Sequence, residues 1–447
     1  MPADFNGGDI TSNAAVLLLQ EVETRFAIIE QFAHCLEDHR DPRRVEHGVR
    51  ELVAQRFFGI ALGYEDLNDH DDLRFDLLLA TAVGNGDPKG SRRRRDRDCD
   101  AGLADKSTPN RIELSWPQVA VTDRYRRIVL HEELADRVLL DLFVQAFPTA
   151  PKQVTLDLDA TDDPLHGKQE GRFFHGYYGC YCYLPLYIFC GDHLLCARLR
   201  EADIDASAGS VDELERIVEH LRRAWPKVRI LVRADSGFCR EEILAWCENR
   251  RVDFVFGLAR NPRLERRVAK PLRDARRRSE EIGKPVRIFE EFDYRARETW
   301  SRARRVVAKA EHLPGRSNPR FVVTSLSRTA ADKRRLYEGI YCARGEMENR
   351  IKEQQLHLFA DRTSSSSFRA NQTQLYFSSI AYALLEALRR IGLRGTDMAE
   401  ALCGTIRTKL LKIGARIRVT VRRIWVAMTQ ACPYEQLFRR AVANLRS

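Results

Sequence analysis

The segment KVRILVRADSGF, residues 227–238, decides how this chain folds. Its first nine residues are rich in Val, Ile and Leu and read as a buried β-strand. That strand ends on Asp235, with Ser236 and Gly237 behind it. A carboxylate at the end of a buried strand is costly unless something pairs it. In open α/β sheets, binding sites form outside the carboxyl ends of the strands. Asp235 is therefore either a site residue or the cap of the turn that follows, and Gly237 leaves room for a sharp turn.

The neighbouring segments supply the sheet. QVTLDLDATDD (153–163) alternates like a strand, and YCYLPLYIFCGDHLLCARLR (181–200) reads as two strands joined at Gly191-Asp192. The helix SVDELERIVEHLRRAW precedes the Asp235 strand, and the helix REEILAWCENR and the strand VDFVFGLAR follow it. Three strands followed by alternating helix and strand indicate a mixed α/β sheet. Asp159 ends the first strand two residues after Asp157, so the two share a face. Spacing does not choose between them; Asp159 lies nearer the open end.

A third acid comes from the helix ARGEMENRIKEQQLHLFA (343–360). With the helical register extended back to 341, Tyr341, Arg344, Glu348, Lys352 and Gln355 share a sector of roughly 80°. Arg344–Glu348 and Glu348–Lys352 pairs at i,i+4 also describe an ordinary solvated face. Three carboxylates from two strand ends and one helix form a hard-oxygen set suited to a pair of Mg²⁺ ions, which would serve phosphodiester cleavage.

The remaining sequence sets the context. Residues 11–85 carry helical apolar spacing, and a basic linker, GNGDPKGSRRRRDRDCDAG, follows. Its four arginines suit phosphate contacts or a solvated loop equally. STPNRIEL (107–114) opens a helix with Ser107 or Thr108 as cap. Residues 262–335 are arginine-rich with short strand-like runs, a β-rich insertion. The helix LYFSSIAYALLEALRRI is strongly apolar, GARIRVTVRR alternates like a strand, and PYEQLFRRAVANL reads as a helix. The chain of 447 residues has 74 Lys and Arg against 64 Asp and Glu, which points to a polyanionic partner such as nucleic acid. No run approaches the ~20 apolar residues of a membrane span, and the N-terminus lacks the blocks of a signal peptide. The expected location is the cytoplasm, at the nucleoid. The 11 cysteines form no CxxC pair and read as thiols, not zinc ligands.

DLDATDDPLHGKQEG (157–171), VRADSGF (232–238) and YCARGEMENRIKE (341–353) resemble the three catalytic blocks of DDE transposases from bacterial insertion sequences. They are most similar to the branch with a Tyr-Arg-Glu-Lys signature. LADKSTPNRIEL and FRANQTQLYFSSIAYALL extend the resemblance over nearly the whole chain. It implies an RNase H-like catalytic domain with a β-rich insertion, behind a helical DNA-binding region at 1–150. The core would occupy 151–261 and 336–392, the insertion 262–335, and a C-terminal region 393–447. It implies Asp159, Asp235 and Glu348 as metal-binding catalytic residues for Mg²⁺, two ions, with Mn²⁺ as a substitute. Tyr341 and Arg344 would hold phosphates or strand termini. The signature lysine falls at Gln355, so Lys352 is the alternative. A Trp in the insertion of related enzymes receives a flipped base; Trp300 is the candidate, and a core aromatic is the competing reading. The implied partners are terminal inverted repeats and target DNA, bound by a homodimer. The implied reaction is cut-and-paste transposition with a hairpin intermediate. A catalytically idle DNA-binding regulator and a nuclease without strand transfer are the alternatives.

Overall fold

Val154, Leu156 and Leu158 are buried on one face of the strand Gln153–Ala160, and Asp157 and Asp159 share the other. This strand lies at the centre of a sheet in the computed structural model. The structure describes residues 3–4, 6–114, 127–420 and 422–447, with the side chain of residue 97 outside that description. Residues 115–126, in the expected DNA-binding region, and residue 421, in the expected strand of GARIRVTVRR, lie outside the described residues.

The chain divides into two units. One comprises Phe143–Asp162 and Phe173–Arg350, the other Met1–Leu142, Asp163–Arg172 and Ile351–Ser447. The first is built on a nine-stranded mixed sheet. Its strands are β1 (Gln153–Ala160), β2 (Leu186–Cys190), β3 (His193–Arg198), β4 (Arg229–Ala234), β5 (Asp253–Leu258), β6 (Val286–Tyr294), β7 (Arg304–Leu313), β8 (Arg316–Ser317) and β9 (Arg320–Thr324). They lie in the order β6-β7-β9-β5-β4-β1-β2-β3, with β8 beside β7. β1, β4 and β5 are mutually parallel, and the other pairings are antiparallel. β5 is apolar along its middle on both faces, whereas β1 and β4 each bury one apolar face and carry Asp157, Asp159 and Arg233 on the other.

The segment 262–335 differs from a purely β-rich insertion in two ways. It opens with two helices, Pro262–Arg267 and Ala269–Ile282. Its strands then continue the main sheet, with β9 pairing directly with β5 from Val255–Thr324 to Leu258–Phe321. Val255, Phe289, Val307, Val322, Leu336 and Tyr337 share one core cluster, so these strands and the segment after them pack as one body.

The other unit is mainly helical. Val16–Phe26, Ile28–Ala33, Val49–Leu62 and Phe368–Ala387 meet around Phe32, Phe57 and Phe377, whose ring centroids lie 5.1–5.9 Å apart. The N-terminal and C-terminal parts of the chain therefore share a core, where the sequence suggested separate regions. Ile10–Thr11 pairs with Ala415–Val419, which pairs with Ile424–Met428. The helix at 107–113 begins after Lys106, and Ser107 bonds Asp105 in place of the expected cap. In the linker, Arg92 donates to the Gly86 carbonyl and Arg93 to that of Ala101 within the loop, and Arg93 also ties the loop to the Glu46 carbonyl. All 11 cysteines are free thiols. Among the described residues, no helix is long and apolar enough to cross a membrane.

Candidate active site

Parallel pairing aligns the two strand-end acids. Leu158 of β1 stands opposite Ala234 of β4 as the last pair of that ladder, so Asp159 and Asp235 follow next to each other just beyond it. Asp235 also caps a short 3₁₀ turn, Ser236–Phe238, accepting from the Gly237 N–H at 2.8 Å. The capping bond leaves Asp235 able to bind elsewhere, since a carboxylate that takes one backbone donor keeps other lone pairs. A side chain at 237 would crowd this cap: a Cβ there would stand 3.0 Å from Asp235 Oδ1, which would have to shift.

Asp157 is taken up differently. It is buried and forms a fork with Arg233, Nε to Oδ1 at 2.6 Å and Nη2 to Oδ2 at 2.7 Å. Arg233 is its direct neighbour in the β1–β4 register. The third arm of Arg233, Nη1, donates to the Ile340 carbonyl at 2.7 Å. The pair therefore anchors the segment that leads into the third acidic block.

That segment is not one uniform α-helix. A π-helical stretch, Arg335–Tyr341, passes through a 3₁₀ turn, Cys342–Arg344, into the α-helix Gly345–Leu358. Such π segments are frequent at functional sites. Arg344 bridges two of the acids, with Nη1 3.0 Å from Asp159 Oδ2 and Nη2 3.1 Å from Glu348 Oε1. Tyr341 reaches β5, where Gly257 makes room: a Cβ there would come within 2.6 Å of the Tyr341 hydroxyl and 2.9 Å of the Ser236 nitrogen.

The electrostatics follow from this crowding. Burial pushes the Asp159 carboxyl up to about 6; Arg344 pulls it down, and Asp235 and Glu348 push it further up. Burial, the largest single effect, lowers Arg344, but Asp159, Tyr341, Asp235 and Glu348 together outweigh it and raise the guanidinium. Burial raises the Tyr341 phenol, with Asp235 adding to the shift and Arg344 opposing it. Among the described residues, no three acid, His or Cys side chains are grouped closely enough to hold a metal ion as placed. The guanidinium of Arg344, lying between Asp159 and Glu348, accounts for part of that spacing.

Asp159, Asp235, Glu348, Arg344 and Tyr341 thus come together. Lys352 is exposed one turn beyond Glu348, and Gln355 donates to Asp163 at 2.8 Å. Trp300 lies elsewhere and is only 5% exposed. Its ring meets Tyr294 edge-on at 5.8 Å, and the Arg304 guanidinium sits 5.3 Å from it. Arg304 is itself held by Glu241 and Glu248. This is core packing, and a base could stack on Trp300 only after that packing opened. One neighbour escaped the sequence reading: Tyr178 faces Asp162 and Asp159, which, after burial, raise its phenol. The aromatic density of FFHGYYGCYCY (173–183) was the available signal.

The sequence model of the family described as Transposase DDE domain group 1 matches residues 1–447. No curated protein matches the chain. Among solved structures, the piggyBac transposase synaptic complex with hairpin DNA aligns at 11% identity over 96% of this chain and 85% of that one, with a TM-score of 0.38.

Proposed function

We propose that this chain, which belongs to the Transposase DDE domain group 1 family, moves a bacterial insertion sequence by cut-and-paste, with Asp159, Asp235 and Glu348 as its metal-binding carboxylates. It is a DNA transposase, an enzyme that cuts and transposes DNA. The observation that carries the site assignment is the alignment of Asp159 with Asp235, tied to the Glu348 helix through Arg344.

DDE transposases generally use divalent metal ions. The donor set fits two Mg²⁺ ions, with Mn²⁺ as a substitute, because all three side chains offer hard oxygens. The raised Asp159 carboxyl fits too, since an added cation offsets the burial and like charge that raise it. When bound, such ions activate a water or a 3′-hydroxyl and stabilise the leaving oxygen. Arg344 exchanges a carboxylate for a phosphate oxygen as DNA enters, since its planar fork matches either partner. Tyr341 offers its hydroxyl to the same strand. Lys352 is exposed, whereas Gln355 is engaged by Asp163, which favours Lys352 for the signature lysine's role.

The sheet order β3-β2-β1-β4-β5 supports an RNase H-like core, with 262–335 as the insertion between the second and third acids. Residues 1–150 are assigned end recognition, with 351–447 as structural support for 1–142, which belong to the same unit. In the reaction, a water oxygen attacks a phosphorus at the element's end and releases a 3′-hydroxyl. That hydroxyl attacks the opposite strand to make a hairpin, a second water reopens it, and the 3′-hydroxyl then attacks target DNA. Each step forms one P–O bond and breaks one. Two copies hold the two ends.

The test uses labelled DNA carrying the inverted repeats that flank the gene, incubated with Mg²⁺ and a target plasmid. Nicked, hairpin and joined products should appear in that order. Nicked products alone would replace this reading with that of a nuclease.

A further inference from the structure

A cavity of ≈ 640 Å³ in the sheet-bearing unit is lined by Arg263, Arg266, Arg267, Asp293, Tyr294, Arg295 and Arg297. Two elements build it, the short helix Pro262–Arg267 and the end of β6 with the residues after it. Five guanidinium groups face it against one carboxylate. Elsewhere in this unit arginines are matched to acids, as Arg276 is to Glu280 and Arg305 to Glu291. Among the described residues, none of the five cavity arginines has a carboxylate within ion-pair distance. Arg266 and Arg295 donate instead to the carbonyls of Pro262 and Trp300, which leaves their charge uncompensated. Arg263 lies over the Tyr294 ring at 5.5 Å and Arg267 over Phe292 at 5.8 Å. These aromatic faces orient the side chains without neutralising them.

The five arginines are exposed, so water screens their mutual repulsion, and an anion entering the concavity lowers it further. Guanidinium groups match phosphate oxygens in fork geometry. A cavity of this size takes a stretch of backbone with more than one phosphate. We infer that this arginine-lined cavity is a second DNA contact, gripping the sugar-phosphate backbone away from the carboxylate site. That the polyanion is DNA rests on the transposase reading. The geometry alone would also admit a soluble polyphosphate. The cavity adjoins Trp300 through Tyr294 and Arg295, so DNA held here presses on the wall that keeps Trp300 buried.

The experiment measures binding of the full-length protein to a fluorescent DNA duplex across a salt series. The variant is Arg263→Gln, Arg267→Gln and Arg297→Gln together, checked by thermal melting. The log–log salt slope should fall by about 2–3, as for two or three lost phosphate contacts, and affinity near 150 mM salt by roughly tenfold or more. The same change at Arg276, Arg277 and Arg278, on the exposed helix Ala269–Ile282, should leave the slope nearly unchanged. An unchanged slope in the cavity variant, or an equal fall in both, overturns the proposal. If the triple variant fails to fold, the three single changes decide, each expected to lower the slope by about 0.9. A competition arm adds inorganic triphosphate. Tight triphosphate binding that is lost in the cavity variant while DNA binding persists would overturn the DNA assignment. Failure of the metal-site reading is seen separately, as cleavage by a Glu348→Gln protein whose cavity is intact.

Discussion

The Nη1 atom of Arg344 donates to Asp159 Oδ2 across 3.0 Å, although the two residues lie 185 positions apart. This contact fastens the helix that carries Glu348 to the end of β1, while its other terminal nitrogen holds Glu348. Lysine cannot replace it, because one ammonium lacks the fork that spans two carboxylates. Arg344→Lys should therefore lower the cleavage rate at least roughly tenfold, equivalent to about 1.4 kcal/mol of barrier, while DNA affinity changes less. Cleavage kinetics beside a gel-shift on the same protein check this.

Asp157 is expected to matter for stability more than for chemistry. Removing one member of a buried charge pair leaves the other uncompensated. Asp157→Asn should cost about 3 kcal/mol in urea denaturation. The pair Asp157→Leu with Arg233→Met should recover much of that loss. Once folded, the Asp157→Asn protein should cleave far better than Asp159→Asn.

Trp300 is enclosed by Tyr294 and Arg304. Trp300→Ala should cost about 3–5 kcal/mol, and Trp300→Phe less. If the residue also receives a flipped base, Trp300→Phe should slow hairpin formation more than first nicking. Equal effects on the two steps would leave Trp300 with its packing role alone.

His70 gives a pH dependence with a definite sign. Its ring is fully buried, and Gln55 Nε2 donates to its Nδ1 at 2.9 Å. Burial, aided by Arg56, pushes the imidazole from 6.5 down to about 3. The unfolded chain binds a proton that the native chain refuses, so this stability is fully present above pH 6.5 and is lost as pH falls toward 3. Relative to a His70→Asn protein, the wild type should lose about 3 kcal/mol between pH 6.5 and pH 4 in urea denaturation. A constant difference across that range would refute the assignment.

The sheet was legible because its strands are short apolar runs bounded by turns, and β1 to β5 and the helices between them lie where the pattern indicated. The places of Asp159, Asp235 and Glu348, at two strand ends and on one helix, were legible from the same pattern. Two helices at 262–282 were read past because few apolar residues mark their faces. Local signals were present nonetheless: Asn261 caps the first, Pro262 opens it, and Gly283 closes the second at φ 66°. That Asp157 is taken up by an ion pair was not legible from spacing, since it turns on Arg233 lying opposite it across a strand pair. The arginine-lined cavity was equally hidden, because its two halves are separated by a helix and a strand.

The measurement that bears most directly on the account is cleavage of labelled end DNA by Glu348→Gln protein in Mg²⁺, beside a gel-shift on the same preparation. Glutamine keeps the size of the side chain and removes the charge a hard cation requires. Nicking, hairpin formation and strand transfer should collapse together while DNA binding persists, and Asp159→Asn and Asp235→Asn should behave alike. Near-normal cleavage by the Glu348→Gln protein would contradict the metal-binding triad and the transposition mechanism built on it.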